Sequence, residues 1–421
     1  MNKELTYIDL FAGAGGLSEG FIRAGYKPVA HVEFDQAACF SLKTRLAYHY
    51  LKANNQIKIY TDYLKGKINR EELYSQIPEE IISSVFNKTI GADNEFIFNE
   101  IEKLTKNKEV DLIIGGPPCQ AYSLVGRARD ENGMKNDKRN FLYFQYYNFL
   151  KKYNPKVFVF ENVPGLLSAR KGEYYKNMCN LFARAGYTTK HFKLEANHFG
   201  VLQNRKRILI IGYKKELNIT LPDFENFRSN LTSEVNSIFS DLPKLQAGEG
   251  IDKYVEYSGK TNNWLENAHV RNGLDILTQH VARPHTIQDK EIYHIAVKKW
   301  NENHNRLDYN DLEDRLKTHK NRHSFFDRFK VVAADIPYSH TVVAHIAKDG
   351  HYYIHPDIEQ NRSISVREAA RLQSFPDDYY FEGVKEGANR TAAFKQIGNA
   401  VPPLMAYEIA QKIKELLCQI N

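Results

Sequence analysis

Five short apolar runs, separated by helix-like stretches, do most to limit what this chain can fold into: Tyr7 to Phe11, Val29 to Glu33, Asp111 to Ile114, Val157 to Phe160 and Ile208 to Ile211. A strand that is apolar on successive residues has both faces covered, and alternation with helices gives a mostly parallel sheet wound on both sides. The expected class is therefore α/β. Residues 62–110 are charged, punctuated by Leu and Ile, and longer than one crossover needs, so they read as a helical insertion. From 214 to 361 the pattern turns irregular and is broken by Pro222, Pro243, Pro284 and Pro337. Thr341 to Ile346 alternates, and a turn at Lys348-Asp349-Gly350 predicts a hairpin with Tyr352 to Ile354. Ser365 to Leu372 reads as a helix, and another follows Pro402-Pro403. A first domain over 1–213 is thus interrupted by a second over 214–361, with a hinge and return segment at 362–390 and a completing part at 391–421.

Composition removes several classes of function. The four cysteines are scattered and form no CxxC pair, which speaks against a disulfide framework or a zinc knuckle and for a reducing cytosol. The start of the chain carries an acid and soon enters a strand, unlike a signal peptide, and no apolar run approaches the roughly 18 residues of a membrane span. A net charge of +7 permits a polyanionic partner without requiring one. His319 and His323 have the i,i+4 spacing of metal ligands but no third ligand motif, so no metal is expected.

Chemistry concentrates at the ends of the apolar runs. Phe11-Ala12-Gly13-Ala14-Gly15-Gly16 follows the first strand and opens a helix, where glycines and free N–H groups admit an anionic or nucleoside ligand. Glu33, 20 residues past Gly13, is placed to accept two ribose hydroxyls. Together they indicate a nucleoside cofactor without choosing one. Gly115-Gly116-Pro117-Pro118-Cys119-Gln120 is more specific: a stiff, sharply turned loop carries one thiol past the C-terminal end of a strand, where doubly wound sheets hold ligands. Glu161, directly after an apolar run, is either a helix cap or a catalytic acid. Arg205 and Arg207 should point the same way by strand alternation and suit a carboxylate and a phosphate, or else form a solvated edge.

These elements, in this order, resemble the cytosine-5 DNA methyltransferase family. Asp9-Leu-Phe-Ala-Gly-Ala-Gly-Gly, Pro117-Pro-Cys-Gln, Glu161-Asn-Val and Gln203-x-Arg-x-Arg are similar to its cofactor, nucleophile, acid and arginine motifs. Arg367-Glu-Ala-Ala-Arg-Leu-Gln-Ser-Phe-Pro376 and Gln396-Ile-Gly-Asn-Ala-Val-Pro402 match near the end. The resemblance implies a Rossmann-like, S-adenosylmethionine-dependent catalytic domain with an inserted target-recognition domain at 214–361. It implies that Cys119 attacks carbon 6 of a flipped cytosine, since that base is inaccessible in the stack. Glu161 would hold the N3 and N4 edge, Arg205 would bind O2 and orient Glu161, and Arg207 would hold the catalytic loop or a phosphate. Phe11, Gly13, Gly15, Glu33, Pro117, Asn399 and Val401 would bind the cofactor. Asp62, taken to follow a third strand at Ile57 to Thr61, would meet the adenine amino group, with Asp93 as the alternative. Arg127 and Arg139, in a cation-rich loop, and Thr341 would contact DNA.

The expected partner is double-stranded DNA with a short specific site, met by a monomer in the bacterial cytoplasm, with a cognate restriction endonuclease possible but no stable complex with it. An RNA-directed relative would have a shorter recognition region. A DNA-binding regulator with a dead site is opposed by the presence of Cys119, Glu161 and Arg205, and a nicotinamide oxidoreductase leaves the Pro-Pro-Cys-Gln loop unexplained.

Overall fold

The computed structural model describes residues 4–118, 142–323 and 325–419. The strands are β1 (Thr6–Leu10), β2 (Lys27–Glu33), β3 (Val85–Asn87), β4 (Leu112–Gly115), β5 (Val157–Asn162), β6 (Tyr187–Glu195) and β7 (Lys206–Lys214). They form one sheet in the order β3-β2-β1-β4-β5-β7-β6. Neighbours from β3 to β5 are parallel, whereas β7 runs antiparallel to both β5 and β6. The chain order reverses between β1 and β4, so their C-terminal ends open the crevice in which such sheets bind ligands. Apolar residues cover both faces: Tyr7, Leu112, Ile114, Val157 and Val159 enter one core, and Ile8, Leu10, Ile113, Phe158 and Phe160 the other.

Helices α1 (Gly16–Arg23), α2 (Gln36–Ala53), α3 (Ile57–Leu64), α4 (Arg70–Ser75), α5 (Asn94–Thr105), α6 (Leu142–Tyr153) and α7 (Glu173–Arg184) connect the first six strands. Among the described residues of 214–361 only α8 (Ile287–Asn303) is a long helix; α9 (Val366–Leu372), α10 (Arg390–Asn399) and α11 (Pro403–Gln419) follow it. Helix α11 packs against α1 and so returns the end of the chain to the first domain.

Three expectations are corrected. Ile57 to Thr61 belongs to helix α3, because Tyr60, Tyr63 and Leu64 bury one helical face in the cluster formed with Tyr48 and Leu51 of α2. The third strand is β3, inside the stretch read as an insertion. No hairpin joins Thr341–Ile346 to Tyr352–Ile354; a 3₁₀ turn at Ala344–Ala347 lies along α10, while Ile354 bridges to Val331 and Ser363. Within the segment 362–390, residues 362–383 are buried throughout. There Arg371 donates to Asp241 at 2.5 Å and Asp377 at 2.5 Å, and Arg362 meets Glu368 through two bonds of 2.7 Å. Removing one partner of such a pair leaves an uncompensated buried charge, at a cost of about 3–5 kcal/mol.

Candidate active site

At the C-terminal end of β1 the backbone turns sharply, with Phe11 at φ 58° and Gly15 at φ 79°, both in the left-handed region. A side chain at Gly15 would also collide with Leu42, its Cβ lying 2.6 Å from Cδ2. Space opens at Gly13, where a Cβ would meet nothing within 4 Å. Glu33 ends β2 and ties this turn down: its carboxylate accepts from the Gly13 N–H at 2.8 Å and the Asp35 N–H at 2.8 Å. Burial nevertheless raises its pKa. Asp9, one strand over, is fully buried, and neither carboxylate oxygen has a hydrogen-bond partner among the described residues. Burial, with Glu33 second, pushes it well above the usual carboxylate range. The sequence reading gave Asp9 no role, and its place inside an apolar strand was the available signal. Phe34, beside Glu33 just past the end of β2, is 62% exposed.

Across the reversal point, the Gly115-Gly116-Pro117 backbone lies against the end of β5. A Cβ at Gly116 would stand 2.6 Å from Glu161 Oε2, so the glycine is what lets the carboxylate approach the loop. Asn162 donates from Nδ2 to the Pro117 carbonyl at 3.1 Å and holds the loop from beneath. Glu161 is paired with Arg207, whose Nε lies 2.6 Å from Oε1, both side chains being 14% exposed. Cys119, Arg127 and Arg139 lie outside the described residues.

Arg205 makes its described hydrogen bonds to backbone carbonyls. It is wholly buried and donates to the carbonyls of Val342 at 2.7 Å, Gly398 at 3.2 Å and Ala400 at 2.8 Å. The contact to Glu161 expected of Arg205 is made by Arg207. Gln203 is likewise an internal tie, donating to the Leu372 carbonyl at 3.0 Å and accepting from the Val342 N–H at 2.7 Å. Thr341 donates its hydroxyl to the Asn204 carbonyl. Arg205 therefore fixes the α10–α11 junction, where Asn399 is exposed and the Val401 carbonyl lies against Gly16, 2.2 Å from where a Cβ would stand. Asp62 is also displaced from the crevice: it sits on α3, paired with Lys58 at 2.7 Å and Lys67 at 3.0 Å. Asp93 stands at the start of α5 after β3, makes no side-chain capping bond to the helix, and accepts from the Thr89 N–H at 2.7 Å.

A cofactor turn at β1, an acid at β2 and a paired Glu–Arg beside a Gly-Gly-Pro-Pro loop form one crevice, and comparison with known sequences gives it a family. The profile of the C-5 cytosine-specific DNA methylases matches residues 5–70 and 75–415. The chain belongs to that family. It is 42% identical to the Type II methyltransferase M.Bpa9945I of Bacillus paralicheniformis, over 98% of this chain and 99% of that one. With the Type II methyltransferase M.DdeI of Desulfomicrobium norvegicum it shares 32% identity over 99% of this chain and 90% of the other. A crystal structure described as a DNA modification methyltransferase encoded within an E. coli prophage superposes with a TM-score of 0.66, at 23% identity, covering 98% of this chain and 99% of that one; it supports the Rossmann-like fold.

The protein is a DNA (cytosine-5)-methyltransferase, and the methyl donor of its family is S-adenosylmethionine. The crevice fits that molecule: open space at Gly13, a carboxylate at the end of β2, and at Asp9 a buried carboxyl without a hydrogen-bond partner among the described residues, suited to a cationic ligand. Among the described residues no group of His, Cys, Asp and Glu is arranged to hold a metal, and no helix is long and apolar enough to cross a membrane.

Proposed function

We propose that this methyltransferase modifies carbon 5 of a cytosine flipped out of duplex DNA, within a short site selected by residues 214–361. The observation that carries the mechanism is the Glu161 carboxylate, packed against Gly116 and fixed by Arg207. Cys119, three residues past Gly116, attacks carbon 6 as a thiolate and makes carbon 5 enamine-like. Negative charge develops toward N3, which Glu161 protonates and holds. Arg207, with its forked donors beside Glu161, takes the orienting role and the contact to O2. Arg205 acts from behind, as a positioning residue. S-adenosylmethionine supplies the electrophilic methyl group when bound. Loss of the carbon 5 proton then expels the Cys119 thiolate.

On the cofactor side Phe11 and the exposed Phe34 offer ring faces to the adenine, and Glu33 takes the ribose hydroxyls in place of its backbone donors. Gly13 and Gly15 admit the chain to the ligand, and Pro117, Asn399 and Val401 close the pocket. Asp93, after the true third strand, replaces Asp62 as the acid for the adenine amino group. Arg127, Arg139 and Thr341 meet the DNA. The relatives' names, Type II methyltransferases, support a setting in which methylation protects bacterial DNA from a cognate endonuclease; a cytoplasmic monomer is the form in which we propose that the enzyme acts.

Cys119→Ser should abolish methyl transfer while duplex binding survives, and DNA containing 5-fluorocytosine should trap the wild type covalently. Cys39 is no substitute, because burial pushes its thiol up to about 12. A trapped adduct on Cys39, Cys179 or Cys418, or turnover by the variant, refutes the assignment.

A further inference from the structure

Arg283 and Arg390 come together where the recognition segment meets the catalytic return. Arg390 opens α10 and reaches the Ala282 carbonyl at 3.4 Å. Arg283 lies over the Phe394 ring, one turn along the same helix, with 5.6 Å from its guanidinium carbon to the ring centroid. It donates to the carbonyls of Ile346 at 2.6 Å and Ala347 at 3.4 Å. Neither arginine makes an ion pair among the described residues, and the buried Nε of each has no acceptor. The nearby acids are committed elsewhere: Asp349 is held by Arg328 and by His345, and the Asp289 carboxylate accepts from the Thr286 N–H in the capping box of α8. Burial first, and then the neighbouring Arg390, lower the Arg283 pKa, and burial lowers that of Arg390.

Two half-buried guanidiniums that repel each other and have no ion-pair partner among the described residues, Asp349 acting on Arg283 only at longer range, form an arrangement that an anion stabilises. Planar forks match phosphate oxygens in particular. Helix α10 adds to this, since Asn389 makes no side-chain cap there and the positive end of the dipole lies beside Arg390. We propose that Arg283 and Arg390 form a phosphate-binding site that clamps a backbone phosphodiester of the DNA across the seam between recognition and catalytic parts. This rests on the duplex-DNA reading above. Helix α10, ten residues long, separates the site by roughly 15 Å from Asn399 at the cofactor wall. That is about four base-pair steps along a strand, so a duplex held by the clamp reaches the neighbourhood of the pocket without entering the cofactor's place. The 3₁₀ turn that receives the Arg283 bonds also packs on Gly398, which places the clamp and the pocket on two ends of one rigid element.

The test is the salt dependence of binding to a mixed-sequence duplex, for wild type, Arg283→Gln, Arg390→Gln and the double variant. Each single change should lower the slope of log affinity against log salt by about one, with turnover at saturating DNA unchanged. Arg390→Lys, which keeps the charge, should keep the slope. Arg390→Gln should melt no lower than wild type, because it relieves repulsion and loses only one long hydrogen bond. Inorganic phosphate should raise the wild-type melting temperature and leave that of Arg390→Gln unmoved. An unchanged slope in a folded, active variant overturns the proposal, and does so even where phosphate stabilises the wild type, since the occupant is then a free anion and not DNA. Absence of cytosine-5 methylation by the wild type, measured in parallel, would instead overturn the reading on which the proposal stands.

Discussion

Replacing Arg205 and Arg207 separately should give opposite phenotypes, although only one residue lies between them. Arg205→Met removes three hydrogen bonds from a charged donor to buried carbonyls. Bonds of this kind contribute about 1.5–3 kcal/mol each, and the carbonyls would be left dry and unpaired. Allowing for partial rearrangement, the loss should be about 4–6 kcal/mol. For a chain of 421 residues the unfolding entropy is about 0.9 kcal/mol/K, which converts this to a fall of about 5–7 °C in Tm. Arg207→Met breaks a part-exposed pair with Glu161, so stability should move by no more than about 1 kcal/mol. Methyl transfer should instead fall by about 100-fold or more, as befits loss of a group stabilising charge at the reacting base. Thermal unfolding and single-turnover methylation, measured on the same preparations, separate the two. An Arg205→Met protein that melts with wild type yet is inactive refutes the positioning role, as does an Arg207→Met protein that loses several degrees.

Gly116→Ala should cut methyl transfer by about 100-fold with cofactor binding intact, because the new methyl group would occupy space 2.6 Å from the Glu161 carboxylate; a fully active variant would show that the carboxylate need not sit there. Glu33→Ala should weaken S-adenosylmethionine binding by about 1.5–3 kcal/mol in calorimetry, and Asp93→Ala should weaken it where Asp62→Ala does not. Acid should destabilise the fold between pH 6.5 and about 4. Burial lowers His280 and His285 to about 4, so the unfolded chain takes up their protons first as pH falls, and each withdraws up to about 3 kcal/mol; a flat stability profile across that window counts against neutral buried imidazoles. Exchanging 214–361 for the segment of a relative with another target should transfer the methylated sequence, read by bisulfite sequencing, and a folded, active hybrid that keeps the original target refutes the division of labour.

The sheet was legible because its strands are buried on both faces: Thr6–Leu10 and Val157–Asn162 begin within one residue of the apolar runs that announced them. Strand β6 escaped notice because it lies at the sheet edge, where Tyr187, Phe192 and Leu194 are buried among polar neighbours and no continuous run forms. Ile57-Lys58-Ile59-Tyr60 alternates like a strand, yet the decisive spacing is Tyr60 to Tyr63 and Leu64, which a short window conceals. Arg205 was misplaced for a local reason: β7 begins at Lys206, so the alternation rule that aligned the two arginines does not reach back to it. The positions of Phe11, Gly13, Glu33 and Glu161, as distinct from their proposed roles, were readable because each follows or ends a strand at the sheet's open end. The buried Arg371–Asp241 link was not, since partners 130 residues apart leave no periodic trace.

That link bears on how sequence choice can vary while the chemistry stays fixed. The front of the recognition segment is built into the return segment: Asp241 meets Arg371, Asn272 donates to Asp378 at 2.7 Å, and Gln279 exchanges two bonds of 2.9 Å with the Phe381 backbone. A substitution there strands a buried charge or a backbone group, and its cost falls on the whole fold. Residues further on behave differently. Ile292, Tyr293, Val297, Leu307, Tyr309 and Phe329 close a small core of their own, around α8. The surface of that lobe can change without disturbing Arg371, so under the proposed division of labour substitutions that alter the target should be tolerated best in about 287–330. The anchored half, carrying Arg283 at its end, instead keeps the lobe in register with the crevice at β1 and β5.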